Sequence, residues 1–116
     1  MRGIIKSIEL VDHENWEYWP DDPTNFCVAA EALIGPEDGA GQEIFSFEVC
    51  TPRWLEEHGE RKPHFVRHVI LMHEYDEDAL KSLVRRVVEN TNGATWSEVA
   101  EKLARYMFWE FEDYQS

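Results

Sequence analysis

Five histidines and two cysteines are the residues of this 116-residue chain best suited to metal or nucleophilic chemistry. His64 and His68 stand four apart, with His73 and Glu74 close behind. On a helix that spacing would put two imidazoles on one face, within reach of a single ion. The run from Phe65 to Glu74, however, has the apolar, β-branched character of a strand. On a strand the two rings lie about 13 Å apart along the chain, and His73 points to the other face. That is too far for one ion, so a small metal-binding or enzymatic domain using His64, His68 and His73 is kept only as the alternative reading. The acidic neighbours Glu56-Glu57, Glu77-Asp78 and Glu112-Asp113 are expected by chance in so acidic a chain and read as solvated edges. Acid/base couples need opposed environments, and no pattern here supplies them. The serines lie in no nucleophile elbow. Cys27 and Cys50 form no CxxC motif and read as small buried thiols in a reducing compartment. One disulfide between them is conceivable, because both fall in strands that could pair. Gly35, Gly39 and Gly41 lie between two expected strands and therefore make a turn, not a phosphate cradle. No catalytic set emerges, and no cofactor is expected.

Two segments combine residues suited to binding another protein. Residues 12–22 hold Asp12, Glu14, Glu17, Asp21 and Asp22 together with Trp16, Tyr18 and Trp19. Aromatic rings give contact area at low entropic cost, and carboxylates pair with a partner's Lys or Arg. Some of these rings could equally fold back onto the sheet. The ending Trp109-Glu110-Phe111-Glu112-Asp113-Tyr114-Gln115 alternates ring and acid, as in a half-buried edge strand or an extended tail clamped to the core. There Trp109 and Phe111 would pack inward, leaving Glu110, Glu112 and Asp113 outward.

The elements that must position these segments are legible in outline. Residues 3–11 suggest an opening strand. Phe26, Val28, Ala30, Ala32 and Ile34 share one face of a second strand over residues 25–34, and Phe45, Phe47 and Val49 share one face of a third over residues 42–50. A Gly-rich turn joins these two as an antiparallel hairpin. Thr51, Pro52 and Gly59 write the start and exit of a short helix. After the strand at residues 65–74, Asp76 caps a helix carrying Leu80, Leu83, Val84, Val87 and Val88, which Gly93 ends. Thr95 and Glu98 form a capping box for a last helix with Trp96, Val99, Ala100, Leu103 and Met107 on its buried stripe. This order predicts an α+β fold: an antiparallel sheet of about four strands, with helices packed mainly on one face. The length suits one domain spanning residues 1–116.

The net charge of −13 is uneven: residues 1–50 hold 11 acids against Arg2 and Lys6 alone. Such a field repels nucleic acid and anionic membranes and attracts basic partners, although acidity also serves solubility. No run approaches the roughly 20 apolar residues of a membrane span. The N-terminal residues lack a signal-peptide pattern, so a cytoplasmic protein is expected.

Three stretches together resemble the Immunity protein 8 family of bacterial polymorphic toxin systems. They are Val49-Cys50-Thr51-Pro52-Arg53-Trp54-Leu55, Thr95-Trp96-Ser97-Glu98-Val99-Ala100-Glu101-Lys102-Leu103 and Trp109-Glu110-Phe111-Glu112-Asp113-Tyr114. The approach from Pro23 to Phe26 and the Ile34-Gly35-Pro36 turn look like that family too, so the likeness runs over nearly the whole chain. The resemblance implies an α+β domain that binds and neutralises a cognate toxin, and it carries over no catalytic residue. Trp54, Trp96 and Trp109 match the family pattern and look like packing residues. Many toxins of such systems are nucleases with basic substrate faces, which an acidic surface would fit.

Overall fold

Apolar side chains recurring at every second position build three strands, β1 (Gly3–Leu10), β2 (Cys27–Pro36) and β3 (Glu43–Cys50), which pair antiparallel in that order. The structure, a computed structural model, describes residues 1–39 and 41–112. Ile8, Leu10, Val28, Ala30, Ala32, Ile34, Phe45, Phe47 and Val49 all turn to the core side and are buried. In β1 the register shifts between Ile5 and Ser7, so Lys6 is an extra, bulged residue. The bulge lets Gly3 and Ile5 face inward before it, and Ile8 and Leu10 after it.

The outer edge of β3 is shared by two short strands. β4 (Val69–Leu71) runs parallel to it along Glu48–Cys50, and β5 (Phe108–Trp109) runs antiparallel along Phe45 and Ser46. The sheet is thus five-stranded and antiparallel apart from the β3–β4 pair. A parallel neighbour needs a crossover, and helix α1 (Pro52–His58) with the following loop supplies it. The strand expected over residues 65–74 is correspondingly shorter. His68 adopts φ 62°, a left-handed turn that stops extension on its N-terminal side. Arg67 and His68 then donate to the Ala104 carbonyl at 3.1 and 3.2 Å, leaving residues 60–67 as an exposed loop.

Helices α2 (Glu77–Glu89) and α3 (Trp96–Leu103) cover one face of the sheet, burying Leu80, Val84 and Val88 from α2, and Val99, Ala100 and Leu103 from α3. Their N-caps are those expected: Asp76 accepts the Ala79 N–H at 3.0 Å, and Thr95 accepts that of Glu98 at 3.2 Å. The Glu98 carboxylate reaches back to Ala94 N–H, one residue before the cap. Gly93 does not end α2, whose C-cap is Asn90. Gly93 is instead required where a Cβ would stand 2.8 Å from the Glu98 Cβ. Among the described residues, no helix is long and apolar enough to cross a membrane.

Candidate functional site

The helices leave the other face of the sheet bare, and the strand pleat decides what stands on it. Residues between the core positions point outward: Glu9 on β1, Ala29 and Glu31 on β2, and Glu48 on β3, all exposed. The register sets Glu9 directly opposite Glu31, and Ala29 opposite Glu48. Like charges directly opposed across a ladder cost roughly 0.2–1 kcal/mol. Glu9 and Glu31 have no cation partner among the described residues. With Asp12 and Glu14 they line a shallow hollow of about 590 Å³ that also borders His13 and Asn15.

The loop after β1 closes this hollow and is held in a bent shape. Asp12, Asn15 and Trp16 adopt left-handed conformations, φ 66°, 53° and 62°, which residues with a Cβ rarely take. Trp16 is the anchor: its indole N–H donates to the Ile8 carbonyl at 3.0 Å, and the Lys81 ammonium lies 4.2 Å from its ring centre. Strained backbone persists only where its surroundings over-determine it, and it gathers at functional sites.

The structure divides the sequence-predicted residues by role. Glu14, Glu17 and Asp21 are exposed, and their carboxylates make no hydrogen bond or ion pair among the described residues. Trp19 is 69% exposed, with one edge against Tyr75 at 5.5 Å. Tyr18 is half-buried between His13, Phe26 and Tyr75, and burial raises its hydroxyl pKa above the ordinary value, helped by Cys27 and Asp21. Asp22 is occupied: it accepts from Thr24 Oγ1 and N at 2.7 and 2.9 Å and pairs with Arg53 at 3.2 Å. The Thr24 hydrogen bonds, chiefly, hold its pKa below the usual carboxylate range. Glu17, Tyr18, Trp19, Asp21 and Asp22 border a second hollow of about 580 Å³ with Trp54 and His58.

The carboxy-terminal residues are not brought to this loop. Glu110 accepts the Ile44 N–H at 3.1 Å, and Glu112 pairs with Arg67 at 3.0 Å, both on the far side of β3 from β1. They tie the end of the chain down. Asp113 lies outside the described residues. The histidines do not converge either: His64 donates to the Lys62 carbonyl at 2.6 Å, and His68 is spent on Ala104.

A family model described as Immunity protein 8 matches residues 4–114. The chain belongs to the Immunity protein 8 family. No curated protein and no solved structure matches it. In this Immunity protein 8 member two of the three tryptophans of the family-like stretches pack against the core: Trp96 lies edge-on to Phe45 at 6.3 Å, and Trp109 stacks on Phe45 at 6.3 Å while donating to Glu43 at 2.7 Å. Trp54 stacks on His58 at 5.0 Å, on a helix with no buried residue.

Glu9, Glu31 and Glu48 escaped the reading of the sequence, as did Phe65, which is 99% exposed in the loop before β4. The three glutamates carried a usable signal, since each sits between two core positions at period two. Phe65 carried none, because it looks like the first residue of a strand.

Proposed function

We propose that this chain neutralises a cognate bacterial toxin by binding it, without catalysis, through the acidic hollow and the aromatic loop that closes it. Family membership supports the immunity role and implies a toxin as partner. The observation that supports this choice of surface is the Glu9–Glu31 pair, opposed across the ladder, joined by Asp12 and Glu14, and lacking an internal cation. A basic partner would relieve that repulsion on binding and be steered toward it, with association rates raised about 10–10³-fold.

Glu14, Glu17, Trp19 and Asp21 are the contact residues of the loop in this reading, beside Glu9, Asp12 and Glu31 in the hollow, while Trp16, Tyr18 and Asp22 shape the loop. Glu110, Glu112 and Asp113 belong to a tethered tail and contribute at most at the rim. The four carboxylates of the hollow are all exposed, so no apolar pocket sets one apart as a proton donor. The complex would form in the cytoplasm of the cell that makes both proteins.

Pull-down with the product of an adjacent toxin-like gene, and rescue of cells expressing that product, tests the role. Charge reversal at Glu14, Glu17 and Asp21 should weaken capture while leaving the thermal midpoint nearly unchanged. Failure of the intact chain to bind or protect against any adjacent gene product would refute the reading.

A further inference from the structure

A second group of side chains stands on the bare sheet face, apart from the hollow. Thr51 N–H donates to the Phe26 carbonyl at 3.1 Å, so the next pair along the ladder, Cys27 opposite Cys50, is a non-hydrogen-bonded pair. Side chains at such positions stand closest across an antiparallel ladder. Glu48 lies two residues before Cys50 on the same face, and the Cys27 thiol donates to its Oε2 at 3.3 Å. The two sulfurs and the carboxylate oxygen all lie within 4.8 Å of one another. Tetrahedral zinc, with bonds of about 2.3 Å to sulfur and 2.0–2.2 Å to oxygen, requires donor separations of roughly 3.5–3.8 Å. The three donors therefore need only small side-chain adjustments to share one ion.

We propose that Cys27, Cys50 and Glu48 form a binding site for a single thiophilic divalent ion of the zinc class. Cys50 is 2% exposed and would hold the ion from beneath, while half-buried Cys27 and exposed Glu48 leave a fourth position open to solvent. Two thiolates select zinc over the hard cations magnesium and calcium. Binding displaces one proton from each thiol, and the dication offsets the charge of two thiolates and a carboxylate.

A disulfide between the same cysteines is the competing outcome; both are free thiols in this structure, and the Cys27 thiol is turned to the Glu48 carboxylate, which joins the two sulfurs as a third donor. A metal ion supplies its own positive charge and deprotonates the thiols it binds. Cys27 also lines the second hollow beside Glu17, Trp19 and Asp21, but the site rests on its own three donors and its test reads metal uptake, not toxin capture.

The test is titration of the reduced, chelator-treated full-length protein with zinc against a chromophoric chelator, in excess magnesium to occupy exposed carboxylates. The expected result is one zinc per chain, with both thiols protected from a thiol reagent. Cadmium should give a thiolate charge-transfer absorption that Cys27→Ser reduces by about half per bound ion, one thiolate remaining in place of two. Glu48→Gln should keep the absorption and weaken zinc binding, and circular dichroism would show that both variants fold. Zinc uptake unchanged in Cys27→Ser, no stoichiometric uptake by the reduced protein, or recovery of the pair as a disulfide that reduction does not convert to a zinc-binding form would each overturn the proposal.

Discussion

The Thr51 hydroxyl, at a position with no solvent exposure, accepts the N–H groups of Phe26 and Trp54 and donates to the Phe26 carbonyl. One side chain thus joins the start of β2 to the cap of α1. Thr51→Val keeps the shape and orphans two backbone donors, so we expect a loss of about 2–3 kcal/mol in denaturant unfolding with an unchanged slope. The capping role was legible from Thr51-Pro52, but the bond to Phe26 was not, because its partner lies 25 residues away. Asp22 gives a pH signature at the same scale. Its folded pKa is lowered, chiefly by Thr24, so its contribution is present above the unfolded carboxylate value of about 4 and vanishes as pH falls through the lowered one. Asp22→Asn should therefore lower the thermal midpoint at neutral pH, and the gap from the parent should close in strong acid. A gap independent of pH would show that the charge is not what matters.

Local patterns named most of the elements because each start was written in side chains: Thr51, Asp76 and Thr95 all cap as their spacing implied. The faces of β2 and β3 followed from strict alternation. What stayed hidden was set by distant contacts, as with β4. His68 turns left-handed and binds a carbonyl 36 residues further on, so the apolar run from Phe65 is cut to Val69–Leu71 and pairs parallel with β3. The helices also differ in how deeply they pack. α1 buries no residue, whereas α3 buries Val99, Ala100 and Leu103 and sets Trp96 against Phe45. Trp96→Ala should cost about 2–3 kcal/mol and Trp54→Ala roughly 1 kcal/mol, both at or below the floor for fully buried aromatics because both rings are half-exposed. Equal losses in thermal and chemical unfolding would mean that α1 is packed as firmly as α3.

Across the whole molecule, the net charge of −13 has a direction: the sheet is covered by helices on one face and carries Glu9, Glu31 and Glu48 on the other. The acidity of residues 1–50 was visible in the sequence, but its assembly into one hollow was not. The Glu9–Glu31 opposition depends on a β1–β2 register that the Lys6 bulge displaces by one residue, and no local pattern announces that bulge. This geometry separates stability from function. Glu31→Gln removes a repulsion within the free protein, so it should raise stability by up to about 1 kcal/mol while slowing capture of a basic partner. The most direct test is stopped-flow association with the cognate toxin over a range of ionic strength, comparing the parent with a Glu9→Gln/Glu31→Gln variant. The account predicts that salt slows the parent steeply, and that the variant associates about tenfold more slowly at low salt, with a shallower salt dependence and equal or greater stability. Identical rates and identical salt dependence for the two proteins would contradict it.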